Sequence, residues 1–290
     1  EWARSNQIYL NGFSTSLPEK TQKEALQQIE ALRNVKLIRP GYAIEYDYSP
    51  PYQLNSALMS KNISGLFFAG QINGTSGYEE AAGQGLVAGI NASMFVLNKD
   101  PLLLSREDSY LGVMLDDLIT KDTLEPYRMF TSRAEHRLYL RPDNAYSRLS
   151  FDASKRKIVT PFQRRVFQEY FKTLATATGL AELKIKTKKQ TSSIKALLKR
   201  PEYSFSNFKK ETSSLDGKFL NKCLFEVETN IKYEGYVQNE LERIDKNSRL
   251  EFLKIPLSFN YAGISGLSNE SVERLSRVMP ETLGQASRVS

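Results

Sequence analysis

The sequence predicts an α/β lobe followed by a mostly α-helical domain, and three observations predict it. The segment GLFFAGQINGTSGYEEAAGQGLVAGINA, residues 65–92, sets seven glycines in 28 residues at the end of an apolar run and along the helical pattern behind it. A stretch with few clear periods and many arginines follows, up to about residue 150. Beyond it, apolar residues recur at helical spacing and lysine becomes frequent. Strand, tight turn and helix make one unit of an α/β layer, whereas successive period-3.6 segments make helices packed on helices. The expected divisions are a first lobe at 1–100, a connector packed on it at 101–150 and a helical domain at 151–290.

Composition bounds the function classes. At 290 residues, 40% hydrophobic and 25% charged, the chain is long enough for two domains and has the balance of an ordinary globular protein, not a disordered one. No run approaches eighteen apolar residues, and EWARSNQIYL carries neither a basic leader nor a small-residue cleavage site, so neither a membrane span nor secretion is expected. The single cysteine, Cys223, has no partner for a disulfide and no metal-ligand neighbours, which fits a reducing compartment, argues against zinc and reads as a small buried hydrophobe. A net charge of +7 and a pI of 9.2 admit a polyanionic partner without specifying one.

In chain order, QIYLNGFSTSLP gives a strand and turn with no introductory segment, as if from the middle of a domain. Pro18 as a first-turn residue and Ala25, Ile29 and Leu32 on one face predict a helix to about residue 33. VKLIRPGYAIEYDY is expected to be extended, with Ala43, Glu45 and Asp47 alternating against Ile44, Tyr46 and Tyr48. GLFFAG reads as an apolar strand, residues 65–70, and the helix after it runs from about 77 to 98. Residues 100–149 read as irregular. Phe162, Val166, Phe167, Tyr170 and Leu174 then mark a helix stopped by Gly179, and Tyr233, Val237, Leu241 and Ile244 mark another. Near the end, Val272, Leu275 and Val278 make a short amphipathic helix between glycine turns, the second at Gly284.

The glycine segment carries the chemistry. Ser76 at N-cap and Glu79 at N3 fit a capping box, which starts the helix there. Ala81, Gly85 and Gly89 fall four apart and leave a stripe without side chains, which suits close helix–sheet packing or a flat ligand. Glycine inside a helix costs about 1 kcal/mol against alanine, so Gly83, Gly85 and Gly89 imply a compensating contact. The helix N-terminus offers free N–H groups at the carboxyl edge of the strand, where open α/β sheets bind ligands. The pattern is not GxGxxG, and Glu79 and Glu80 would repel a pyrophosphate. A neutral polarisable acceptor, such as a pyrimidine carbonyl of a flavin, fits better.

Arg128, Arg133, Arg137, Arg141 and Arg148 lie within 21 residues that hold no lysine. The guanidinium fork suits phosphate contacts and stacking on bases, though Glu125, Glu135 or Asp143 are equally available as internal partners. KIKTKKQTSSIKALLKR, residues 184–200, has seven basic residues and no acid, Lys188 and Lys189 among them. Nonspecific hold on a nucleic-acid backbone and a solvated helix face are its two readings. His136, the only histidine, reads as a surface or core residue rather than an acid–base group.

Four stretches, GLFFAGQINGTSGYEEAAGQGLVAGINA, EPYRMFTSRAEHRLYLRPDNA, YEGY and GLSNESVERLSRVMPETLGQASRVS, together resemble the MnmG (GidA) family of tRNA-modifying flavoproteins. The resemblance spans residues 5–290 and is weakest at 151–222. It implies an FAD enzyme, with NADH as reductant, that works with the GTPase MnmE to build the 5-carboxymethylaminomethyl group on the wobble uridine of certain tRNAs. It further implies a cytoplasmic homodimer, with a mitochondrial counterpart sharing these motifs. The first lobe is then the C-terminal lobe of an FAD-binding, Rossmann-like domain. In that family the AGQ strand end and the following helix close the FAD site, which carries over to Gly70 and Gln71, with Asn73, Gly74, Thr75, Ser76, Gly77 and Tyr78 as the adjoining loop. Arg128, Arg133, Arg137 and Arg141, with Lys188 and Lys189, become the tRNA-binding candidates. The family's GxGxxG and two functional cysteines are not in this sequence, Cys223 matches neither, and the family continues into further C-terminal helices. The chain is therefore expected to be a C-terminal portion, incomplete for catalysis and without a catalytic residue of its own. Two alternatives are a non-catalytic tRNA- and protein-binding module, and a folate-dependent tRNA methyltransferase of the TrmFO type. The latter shares the FFAGQ segment but lacks the helical region with YEGY and GLSNE.

Overall fold

The computed structural model describes residues 5–121, 125–186, 191–213, 215–256 and 258–289. Two compact units divide the chain, Glu1–Asp47 and Tyr48–Ser290.

The first unit is built on α1 (Glu19–Gln27), with Pro18 just outside it as N-cap rather than in its first turn. The helix stops short of residue 33 because Ile29 turns extended (φ −89°, ψ 118°), leaving only a 3-10 turn at Glu30–Leu32. Buried Gln22 organises the unit: its Nε2 donates to the carbonyls of Leu17 (2.6 Å) and Gly41 (2.8 Å), and its Oε1 accepts from Gly41 N (2.8 Å). The stretch after it joins no strand ladder.

In the second unit, GLFFAG is not a ladder strand. Phe67 makes one isolated bridge to Met59, and the chain then coils into a 3-10 turn, Gly70–Asn73. The only ladder among the described residues is a small antiparallel hairpin further on, so an open parallel sheet is not what organises this half. Its core lies between α2 (Tyr78–Val96) and α3 (Tyr110–Thr120), which bury Val87, Ala88, Met114, Leu115 and Leu118 together with Tyr127. The stretch expected to be irregular thus contains a central helix. Ser109 caps it by accepting from Gly112 N (3.0 Å), and every residue from Gly112 to Thr120 is buried. Gly112 is obligatory, since a Cβ there would overlap the Ser105 carbonyl.

A second core follows. α4 (Ala145–Lys155) leads into α5 (Pro161–Ala181), which starts on a Thr160–Gln163 capping box with Pro161 at N1. Gly179 does not stop it; the helix runs through to Ala181. The basic run at 184–200 is not one helix: β1 (Lys184–Lys186) pairs with β2 (Thr191–Ser193), and α6 (Ile194–Leu198) follows. After the single turn α7 (Lys209–Thr212), α8 (Leu220–Lys232) packs on α5 around Tyr170, Leu198, Phe205, Cys223 and Val227.

α9 (Glu234–Phe252) begins straight after Tyr233 and buries none of its described side chains. α10 (Asn269–Val278) is capped by Ser268 and buries Leu275 and Val278. α11 (Leu283–Arg288) is capped by Thr282 and holds Gly284 in its first turn rather than in a loop, where a Cβ would overlap the Glu251 carboxylate. No described helix is long and apolar enough to cross a membrane.

Candidate functional site

The loop joining Ala69 to α2 is fixed from below by one side chain. Gln84, fully buried in the second turn of α2, accepts from Gly70 N (2.8 Å) and Asn73 Nδ2 (3.1 Å) through Oε1 and donates to Thr75 Oγ1 (2.7 Å) through Nε2. Asn73 Nδ2 also donates to Phe68 O (3.1 Å), while Asn73 Oδ1 is buried without a partner. Gly70 and Gly74 adopt positive φ (84° and 76°), and a Cβ on Gly74 would come within 2.9 Å of the Tyr48 ring. Those two glycines are therefore demanded by backbone shape. Gln71, Ser76 and Tyr78 are exposed, Tyr78 at 92%.

The capping box does not form. The N-cap is Gly77, no side chain caps the helix, and Ser76 stands outside it. The Glu80 carboxylate instead accepts from Met129 N (3.2 Å), which draws the arginine-rich stretch to the loop. Tyr127 N donates to Gly74 O (2.8 Å), and Thr75 and Tyr127 form a parallel bridge. The stripe is divided in use: Gly83 meets Leu111, whereas nothing lies within 4 Å of a Cβ at Gly85 or Gly89. Close helix–sheet packing does not account for those two.

Beneath Tyr127 sits a buried charge network. Arg106, 6% exposed, donates from Nη1 to Asp116 and Asp117 (both 2.8 Å) and pairs with Glu135 (2.5 Å). Asp117 also accepts from Tyr127 OH (3.1 Å), pairs with Lys121 (2.7 Å) and lies 3.7 Å from Arg133. Burial by itself raises the Asp117 carboxyl, but Lys121 and Arg106 outweigh it and hold the pKa below the ordinary aspartate value. Burial and then Asp117 push the Tyr127 hydroxyl up, so the phenol stays protonated.

The sequence-predicted arginines separate into two groups. Arg133 stacks over the Tyr127 ring (4.9 Å), and Arg141 is held by Asp143 (2.9 Å), Asn230 (2.6 Å) and Leu138 O (2.7 Å). Arg128 and Arg137 are exposed. Lys188 and Lys189 lie outside the described residues. His136 Nδ1 meets Glu240 Oε2 at 2.7 Å, tying this stretch to α9, and the histidine holds the Glu240 carboxyl below its ordinary range. Cys223 is buried, and burial followed by Glu226 pushes its thiol up to about 11, as befits a core residue. No group of three or more potential metal ligands occurs among the described residues. Sequence reasoning missed Gln84, whose signal is a lone amide between Gly83 and Gly85, and Arg106 with its two aspartates.

Known proteins resemble the chain along its whole length. The family model described as "Glucose inhibited division protein A" matches residues 1–100. Two models of the tRNA modifying enzyme MnmG/GidA follow, its C-terminal helical domain over 155–241 and its C-terminal helical bundle over 243–290. The tRNA uridine 5-carboxymethylaminomethyl modification enzyme MnmG of Chlorobium phaeobacteroides is 47% identical over 100% of this chain and 50% of its own length. The enzyme of the same name from Borreliella afzelii is 46% identical, over 100% of this chain and 48% of its own. Aquifex aeolicus GidA in its form II crystal superposes with a TM-score of 0.77 at 42% identity, covering 98% of this chain and 47% of that one. The chain spans about half the length of the curated relatives it matches. The helical half, which distinguishes the MnmG pattern from the TrmFO one, is matched as well as the first, and the chain belongs to the MnmG/GidA family.

Proposed function

We propose that this chain forms part of an FAD-dependent enzyme that, with the GTPase MnmE, installs the 5-carboxymethylaminomethyl group on tRNA wobble uridine. The observation that carries the proposal is the loop Gly70–Tyr78: it is locked by Gln84 and leads into a helix whose first-turn amides have no side-chain cap. Uncapped amides donate to an electron-rich carbonyl, and the orphan Asn73 Oδ1 accepts from an N–H, so the residues present fit the mixed edge of a flavin pyrimidine. The open faces of Gly85 and Gly89 leave room for a flat body along the helix. When bound, FAD supplies two-electron redox chemistry, with NADH as the reductant. Gln71, Asn73, Gly74, Thr75, Ser76 and Tyr78 orient the ring, while Glu79 and Glu80 keep its phosphates away from this end. In this reading residues 1–100 serve the cofactor, 101–150 join it to the RNA, and 151–290 hold tRNA and MnmE, in a cytoplasmic homodimer. Arg128 and Arg137 reach tRNA phosphates directly, Arg133 and Arg141 shape that contact from internal partners, and Lys188 and Lys189 add to the hold on tRNA.

Titration with FAD tests the cofactor half. Gln71→Ala and Gly85→Leu should weaken flavin retention about tenfold without loss of thermal stability, and unchanged affinity in both would remove the loop from the site. Arg128→Ala and Arg137→Ala should each lower the salt slope of tRNA binding by about 0.7–0.9. A colourless protein that still binds tRNA would favour the non-catalytic module.

A further inference from the structure

Residues 151–168, FDASKRKIVTPFQRRVFQ, hold five cations and a single carboxylate, Asp152. They form the corner between α4 and α5, which pack together through the Tyr146 and Phe167 rings (5.6 Å). Arg156 is engaged, donating to Pro101 O (2.9 Å). Lys155, Lys157, Arg164 and Arg165 are exposed and make no ion pair among the described residues. Some cations elsewhere in the helical region are neutralised, Lys199 by Glu234 (2.7 Å), Lys232 by Glu228 (2.7 Å) and Arg274 by Glu270 (2.7 Å), while others such as Lys172 and Lys210 are not among the described residues, so charge alone does not single out this corner.

Two aromatic rings stand in water at the same corner, Phe151 at 75% and Phe162 at 65% exposure. Phe151 and Lys155 are four apart on α4, and Phe162 and Arg165 three apart on α5, so each ring shares a helix face with a cation. Cations alone would suit any polyanion. Exposed rings set among uncompensated cations match the pattern by which unstacked bases are held, the base on the ring and its phosphate on the charge. A duplex presents phosphates but no free base faces, and would leave both rings idle.

We propose that the α4–α5 corner is a contact for an unpaired stretch of RNA, with Phe151 and Phe162 stacking on splayed bases and Lys155, Lys157, Arg164 and Arg165 on the flanking phosphates. The inference rests on tRNA being the substrate and states where one of its loops lies. All six side chains are exposed, so substituting them leaves the cores untouched.

The test is equilibrium binding of this chain to a tRNA transcript, a single-stranded oligouridylate and a fully paired RNA duplex, over a range of salt. Phe162→Ala and Phe151→Ala should each weaken tRNA and oligouridylate about five- to a hundredfold and leave the duplex within about twofold. Phe162→Trp should restore binding. The double variant Arg164→Ala/Arg165→Ala should weaken all three RNAs and lower the salt slope by about 1.4–1.8. If the unsubstituted chain binds tRNA but the phenylalanine variants bind it equally well, the rings do not stack on bases and the inference falls, while the tRNA reading stands. Equal losses on duplex and single strand would overturn the stacking role. No tRNA binding by the unsubstituted chain would overturn the tRNA reading and this inference with it.

Discussion

The core around α2 and α3 and the core around α5 and α8 are closed by different chemistry. In the first, buried polar side chains tie loops to helices. Gln84 holds the 70–75 loop, and Asn91 donates to Ala57 O and Leu102 O (both 3.1 Å) and accepts from Leu102 N (2.7 Å). Asp117 anchors Tyr127. In the second, rings meet edge-on, with Tyr146 and Tyr170 5.1 Å apart and Tyr170 and Phe219 5.7 Å apart, and one buried carboxylate, Glu226, is satisfied by Ser147 and Tyr170. The first core leaves one face of α2 open, with Leu86 62% and Val96 77% exposed. Directional bonds fix where a loop sits, and non-directional burial fixes how firmly helices hold together. A region that must present a loop to a ligand needs the former.

The largest expected effect breaks the first core at its charge centre. Arg106→Met leaves Asp116, Asp117 and Glu135 without their shared cation and should cost about 3–5 kcal/mol in urea unfolding. A loss near zero would mean that ordinary packing, as in the second core, also holds the first.

A smaller effect concerns Lys61, which extends these polar ties to the C-terminal helices. Its Nζ donates to Tyr52 O (2.9 Å), Val278 O (2.6 Å) and Met279 O (3.4 Å). Burial lowers its pKa from 10.5 to about 8 against the pull of Glu281. The unfolded chain therefore binds more protons between about 8 and 10.5, so this group's contribution makes stability rise with pH across that window and is lost as pH falls through about 8. Unfolding midpoints at two pH values in the window should show this slope, and Lys61→Met should remove it. The smallest effect probes the open face. Gly85→Ala meets no neighbour and should stabilise α2 by up to about 1 kcal/mol in thermal melts, while a loss would mean that the face is covered.

Helices with one wet side were legible in the sequence. α5, α9 and α10 keep the 3.6 period. α3 was not, because YLGVMLDDLIT is short and is buried from Gly112 to Thr120 with two aspartates inside it, so no wet face marks it as a helix. Asp116 and Asp117 in its middle look like a loop signal until Arg106, ten residues away, supplies their counter-charge. GLFFAG has strand composition, but a strand exists only with a partner, and the turn at Gly70 ends it. The loop residues were found because Gly70 and Gly74 need left-handed backbone; Gln84 was hidden because nothing local marks an amide that reaches three positions upstream at once.

Asp116 is shared between Arg106, ten residues before it, and Arg288, whose Nε reaches it at 2.7 Å across 172 residues of chain. During synthesis at ~5–20 residues per second, α11 emerges roughly 9 to 34 s after α3. Through that interval Asp116 has one of its two cations and lacks the other. Asp116 therefore gains its second cation only once α11 has been made.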